Sequence, residues 1–161
     1  MYERILVPID GSDTAALGLA EAMRLATALK SRIRIAHVVN RAPVIAPDVS
    51  GSTMEDAVRE LLDQGESLLH EATATVRAAG ITVDERLIEA FYEPIGEFIV
   101  AEANAWAAQL IVCGTHGRRG VRRLLLGSDA EHIVRRSPVP VLLIHAPMSR
   151  DRTPTSQSHT S

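Results

Sequence analysis

The sequence predicts an α/β protein: a single doubly wound, five-stranded parallel sheet with helices on both faces. Three observations carry this. Short, branched apolar runs, "RILVPI" (4–9) and "LIVCG" (110–114), fit strands buried on both sides. Segments with apolar residues at spacings of three and four alternate with such runs. Strand, helix and strand follow one another within the first 40 residues, which is a βαβ unit.

The elements follow in order. After the first run, "DGS" forms a turn, and Ser12 or Asp13 caps a helix whose apolar face is Leu19, Ala22, Met23, Ala26 and Leu29. "RIRIAHVV" (32–39) is the second strand, and 40–52, with two prolines and a glycine, is a long loop. A helix is expected over 54–79. Thr53 and Asp56 resemble a capping box, Leu61, Leu62, Leu68, Leu69, Ala72 and Val76 supply the stripe, and Gly80 closes it. "TVDERLIE" (82–89) alternates weakly and belongs near a sheet edge.

Pro94 suits the first turn of a helix through Ala107, with Ile95, Ile99 and Trp106 as its buried side. "LIVCG" is the fourth strand, Ser128 opens a helix to about Arg136, and "VPVLLIH" (139–145) is the fifth strand. Pro140 removes a ladder donor and so directs that strand to an edge. The organisation is one domain over 1–147 and a polar tail over 148–161, rich in Ser, Thr and Pro and expected to be disordered.

Bulk properties exclude several functions. With 161 residues, 46% hydrophobic and 23% charged, the chain can bury one sizeable core. Only 3% is aromatic, so that core is built from Ala, Val, Leu and Ile. A net charge of -3 argues against whole-surface binding to nucleic acid or acidic membrane. Arg118, Arg119, Arg122, Arg123, Arg135 and Arg136, against Asp129 and Glu131, nevertheless make 118–136 locally basic. A locally held anion and a solvated arginine face are both open. The single cysteine, Cys113, lies in an apolar run and is expected in the core. No apolar run approaches the ~20 residues of a bilayer span, and "MYERILVPID" lacks a signal-peptide layout. A soluble, cytoplasmic protein is expected, with no membrane association.

In a doubly wound sheet, ligands bind at the carboxyl ends of the strands, where strand order reverses. Three strand ends bear suggestive residues: Pro8-Ile9-Asp10-Gly11-Ser12, His37-Val38-Val39, and Gly114. A phosphate site needs backbone N–H groups and close approach of the chain. Gly114 and Gly117 would shape a turn, while Gly127 and Ser128 stand at a helix N-terminus, where the macrodipole favours negative charge. A Walker A loop would need Lys before the Ser, and the chain's one lysine is Lys30 in the first helix. The dinucleotide fingerprint needs a glycine-rich turn after the first strand, where "DGSDT" stands.

The run "GTHGRRGVRRLLLGS" fits the G-x2-G-x9-G-[S/T] pattern of the ATP-binding universal stress proteins. "ILVPIDGS", "AHVV" and "SPVPVLLI" also resemble that family, over about residues 2–146. The resemblance implies an adenine nucleotide α-hydrolase-like, Rossmann-like fold and a homodimer paired through the last strand, 139–145. It implies an adenine pocket at the Val38 backbone with Pro8 and Ile9 nearby, and Asp10 beside the ribose. Gly114 and Gly117 would approach ribose and phosphates, and Gly127 and Ser128 would bind phosphate oxygens. His116 and Arg118 fall in the same loop. For His116 a structural role, for Arg118 and Arg119 a solvent-facing one, and for Asp10 a plain turn cap remain open.

The function implied is that of a nucleotide-dependent stress-response regulator taking ATP, or AMP or ADP, with Mg²⁺ accompanying the nucleotide; Asp10 is its first candidate ligand, and Asp13 could help to hold it. A slow ATPase or phosphotransferase is the enzyme alternative, but no second acid–base group accompanies Asp10 and Asp13. A sensor of AMP or a cyclic nucleotide would use the same pocket. Nucleic-acid binding lacks both a recognition motif and stacking aromatics.

Overall fold

The computed structural model describes residues 1–41, 54–92, 94–115 and 126–145. Among them strands and helices alternate: β1 (Arg4–Pro8), α1 (Asp13–Leu29), β2 (Arg32–Asn40), α2 (Met54–Ala78), β3 (Val83–Ala90), α3 (Ile95–Ala105), β4 (Leu110–Gly114), α4 (Ser128–Arg136) and β5 (Val141–Ile144). The strands form one parallel sheet in the order β3-β2-β1-β4-β5. The weakly alternating β3 and the proline-led β5 are its two edges, as their sequences predict. Thr53, the loop residues 42–52 and the tail 148–161 lie outside the described residues.

Side-chain alternation along each strand divides the core into two layers. On one face Ile5 and Val7 of β1, Ile33 and Ile35 of β2, and Leu110 and Val112 of β4 meet Leu19, Ala22 and Ala26 of α1 and Leu69 and Val76 of α2. On the other, Leu6, Ala36, Ile111 and Cys113 meet Ile99 and Ala103 of α3 and Ile133 of α4. Ile5, Leu6, Val7, Ile33, Ile35 and Ile111 are wholly shielded from water. Each such side chain contributes about 1.5–3 kcal/mol of transfer free energy, which is why the near-continuous apolar runs belong in the middle of the sheet.

Local chemistry sets the helix ends. Ser12, in extended conformation, caps α1 by accepting the Ala15 N–H on Oγ at 3.2 Å, and Asp13 adds negative charge to the first turn. Lys30 closes the same helix in the left-handed conformation, φ 55°, a position more often given to glycine. Gly80 (φ 76°) takes that conformation after α2, as expected. α3 departs from expectation at both ends. Pro94 is its N-cap and not a first-turn residue, and the helix stops at Ala105 because Ala107 turns left-handed (φ 52°). Its buried residues are Gly96, Ile99, Glu102 and Ala103, while Ile95 and Trp106 are only half-buried. The fifth strand is also shorter than expected, because Pro140 contributes only its carbonyl, to the Ile111 N–H at 3.0 Å.

Glu102 is buried because two arginines reach it. Arg34 Nη1 donates to Glu102 Oε1 at 2.8 Å, its Nε donates to Asp84 Oδ1, and Arg86 Nε lies 3.7 Å from Glu102 Oε2. The Arg34 guanidinium also stands 4.8 Å from the Trp106 ring centre. Burial by itself would lower the Arg34 pKa, but the hydrogen bonds and charges of Asp84 and Glu102 outweigh it and hold the pKa above its ordinary value. This network ties β2, β3 and α3 together across the edge of the sheet.

The helices α3 and α4 approach closely at Gly96. A Cβ there would stand 2.7 Å from the Asp129 carbonyl oxygen and 3.0 Å from His132 Cβ. Backbone oxygen cannot swing aside as a side chain can. Gly96→Ala should therefore cost about 1–3 kcal/mol through overpacking, read as a lower urea midpoint with an unchanged slope.

Candidate functional site

The chain order β1-β2-β3 runs one way across the sheet and β4-β5 the other, so the reversal lies between β1 and β4. From their carboxyl ends the chain continues to α1 and to α4 respectively, and in doubly wound sheets this reversal is where ligands bind. Four segments border it: Pro8-Ile9-Asp10 leaving β1, Val38 near the end of β2, Gly114-Thr115 leaving β4, and Gly127-Ser128 entering α4.

Pro8 is the last β1 residue in register with β2, opposite Ala36. The Ile9 N–H donates to the Ala36 carbonyl at 2.8 Å, so the Ile9 backbone lies beside β2 two residues before Val38. Their side chains part, Ile9 into the layer under α1 and α2, Val38 against the layer under α3 and α4. Backbone, not side-chain convergence, is what these two residues share. Asp10 accepts the Ser12 N–H on Oδ1 at 2.9 Å, and Gly11 between them takes φ 80°. The turn-capping role of Asp10 is thus present. The Ser12 and Thr14 hydroxyls lie 3.2 Å apart beside it. Three oxygen-bearing side chains therefore gather where β1 becomes α1.

Gly114 is explained by packing. A Cβ on it would lie 2.8 Å from the Thr14 carbonyl carbon and from Thr14 Oγ1. Only glycine lets the first turn of α1 come this near to β4. Thr115, 1% exposed, next donates its N–H to the Ile144 carbonyl at 3.0 Å and accepts the Gly127 N–H at 2.9 Å. That second bond brings the two ends of the glycine motif together, so the chain leaves and re-enters the rim at one point. It also commits the Gly127 N–H. The N–H groups that α4 leaves unpaired within the helix are those of Ser128, Asp129 and Ala130, because the first intrahelical bond runs from the Glu131 N–H to the Gly127 carbonyl. Ser128 is exposed at this end. Asp129 is anchored, its Oδ1 accepting the Gly96 N–H at 3.4 Å. His116, Gly117 and Arg118 lie outside the described residues.

Motif reading overlooked Thr14 and Thr115. Thr115 stands inside the motif at a free position, and its burial follows from three-dimensional contacts alone. In the sequence, His37 stands out only as a strand-end residue. Its signal is a polar side chain within an apolar strand: it is 9% exposed, with Nδ1 2.8 Å from the Ile9 carbonyl oxygen. Among the described residues no cluster of three or more His, Cys, Asp or Glu is placed to hold a metal ion. No described helix is long and apolar enough to cross a membrane.

The fold is a doubly wound α/β domain whose strand order reverses between β1 and β4. The chain belongs to the universal stress protein family, whose family model matches residues 1–145. The universal stress protein MJ0531 of Methanocaldococcus jannaschii is 30% identical over 148 residues, 91% of this chain and 84% of that protein. The solved structure of MJ0577 from the same organism shares the fold, with a TM-score of 0.81 at 23% identity over 92% of this chain and 99% of that one. Two solved relatives at 25% identity, each aligned over 89% of this chain, hold nucleotides. One is a universal stress protein in complex with cAMP (TM-score 0.62, 97% of that chain), the other the Archaeoglobus fulgidus protein in complex with dAMP (TM-score 0.61, 98% of that chain).

Cys113, the residue before Gly114, is buried in the α3/α4 layer, and burial pushes its thiol from 9.0 up to about 12. The unfolded chain ionises first as pH rises, so the stability that depends on a neutral thiol is complete below pH 9 and lost between about 9 and 12. At pH 8 the native thiolate fraction should be roughly a thousandfold below that of the unfolded chain. Iodoacetamide labelling should be correspondingly slow until denaturant is added, and Cys113→Ala should flatten the loss of stability above pH 9.

Proposed function

We propose that this protein is an ATP-binding universal stress protein, a cytoplasmic stress-response regulator whose nucleotide occupancy governs a homodimer's partner interactions. The observation that carries the reading is the Gly127 N–H to Thr115 carbonyl bond, 2.9 Å, which sets the helix-α4 end of the G-x2-G-x9-G-[S/T] motif against its strand-β4 end. That arrangement sets the N-terminal end of α4 beside the carboxyl end of β4, the neighbour of β1 in the sheet. The nucleotides held by two relatives support an adenine ligand here.

In this reading the backbone around Pro8, Ile9 and Val38 borders the base and Asp10 faces the ribose. Gly114, Gly117, His116 and Arg118 line the path to the phosphates, and Ser128 with the α4 N-terminus takes the terminal oxygens. Mg²⁺ would come with the nucleotide. Asp10 offers it one carboxylate already bonded to the Ser12 N–H, so phosphate oxygens and water would supply most of its ligands. With a single carboxylate in place to orient water, hydrolysis is slow at most. The monophosphates in the two relatives favour one second reading, a sensor of AMP or a cyclic nucleotide in the same crevice.

The dimer reading rests on β5. It is an edge strand of four half-buried apolar residues, Val141 to Ile144, whose ladder within the chain is with β4. Such an edge is suited to a second copy. Residues 1–147 act as one domain, with 148–161 appended to it.

Ser128→Asp separates binding from folding. A carboxylate at the first position of α4 is favourable to the helix by about 0.3–1 kcal/mol, yet it repels phosphate. Calorimetric titration should show ATP affinity reduced at least about tenfold, with thermal stability unchanged or raised and adenosine binding largely retained. Unaltered ATP affinity would remove α4 from the site. Native mass spectrometry of wild-type protein should show twice the 17.4 kDa chain mass with nucleotide attached.

A further inference from the structure

We infer that His37 is a positioning residue: from beneath α2 it holds the β1–α1 turn in the shape that receives the ribose side of an adenine nucleotide. This rests on the nucleotide reading above and adds to it a residue that lies in the core, under a helix, and not on the crevice wall.

The geometry is a chain of short contacts. The imidazole is buried, and Nδ1 lies 2.8 Å from the Ile9 carbonyl oxygen. A carbonyl only accepts, so Nδ1 carries the proton and donates. Ile9 is thereby held at both polar groups, its N–H on Ala36 and its carbonyl on His37. Both partners are on β2. The next residue is Asp10, whose Oδ1 takes the Ser12 N–H, and Ser12 in turn caps α1. Ile9 lies past the last paired residue of β1, Pro8, and so outside the regular ladder. The His37 bond continues the strand's alignment for one residue more and sets the direction in which the turn departs.

The other side of the ring explains a second residue. A Cβ at Gly65 of α2 would stand 2.9 Å from His37 Cδ2, and equally near Leu87 Cδ1 and Val39 Cγ2. Gly65 sits mid-helix, where glycine costs about 1 kcal/mol relative to alanine. Its place there is accounted for by the imidazole together with Leu87 and Val39 beneath it. α2 therefore seats the ring, the ring holds Ile9, and Ile9 aims Asp10.

Three variants test this. His37→Leu removes the donor and leaves the Ile9 carbonyl unsatisfied. His37→Asn keeps an N–H near the Nδ1 position. Gly65→Ala leaves the donor in place but presses on the ring. Affinity for ATP and for adenosine is measured by calorimetry well below each variant's unfolding temperature, and hydrogen exchange of the Ser12 amide is followed without ligand. Expected are an affinity loss of about tenfold in His37→Leu, equal for ATP and adenosine because the phosphate end is untouched. Ser12 exchange should be faster while β3 amides keep their protection. Recovery is expected in His37→Asn, and an intermediate loss in Gly65→Ala. Should His37→Leu fail to fold, the contrast between Gly65→Ala and His37→Asn carries the test. Wild-type affinity together with wild-type Ser12 exchange in His37→Leu, or in Gly65→Ala, overturns the inference. If wild-type protein binds no adenine nucleotide while Ser12 exchange still responds to His37→Leu, the nucleotide reading fails and the positioning of the turn stands.

Discussion

Everything in this molecule depends on β1 being buried on both faces between two parallel neighbours. Ile5, Leu6 and Val7 have no contact with water, and each successive side chain must find a separate apolar layer. That demand requires helices above and below the sheet, and parallel pairing requires each crossover to be long enough to include one. Because β2 and β4 both flank β1, the chain must reverse its direction of travel across the sheet beside it. The crevice is what this reversal leaves behind. The site is thus a topological by-product of the core, furnished afterwards by polar residues at strand ends.

Those polar residues act through the backbone more than through charge. Asp10, Ser12, Thr115 and Gly127 are connected by bonds to N–H and carbonyl groups at 2.9–3.2 Å. Arg34, paired with Asp84 and Glu102, serves the edge of the sheet. The overall charge of -3 and the position of this ion network both direct attention to fixed dipoles at the rim.

Much of this was legible in the sequence for definite reasons. The runs 4–9 and 110–114 are apolar at every position that two-sided burial needs, and Ser128 marks a helix start that the structure reproduces to the residue. Pro140 and the weak alternation of 82–89 announced the two edges. What was hidden depends on distance along the chain. Arg34 meets Asp84 and Glu102, 50 and 68 residues away, with no local pattern to record the pairing. Ala107 ends a turn left-handed without the glycine that would have advertised it. At the site, the motif's spacing was visible but its internal hydrogen bond was not. That bond runs from the Gly127 amide to the Thr115 carbonyl.

The Thr115–Gly127 bond has a consequence for how such a protein can change. By joining Thr115 to Gly127, it fixes two anchors between which the chain must close an excursion. The entropy of closing an excursion grows only logarithmically with its length, about 0.6 kcal/mol for each doubling. Residues can therefore be inserted, removed or exchanged between the two anchors at small expense to the domain. The core can remain constant while the sequence between the anchors drifts, so that sequence and the stability of the domain are open to separate histories.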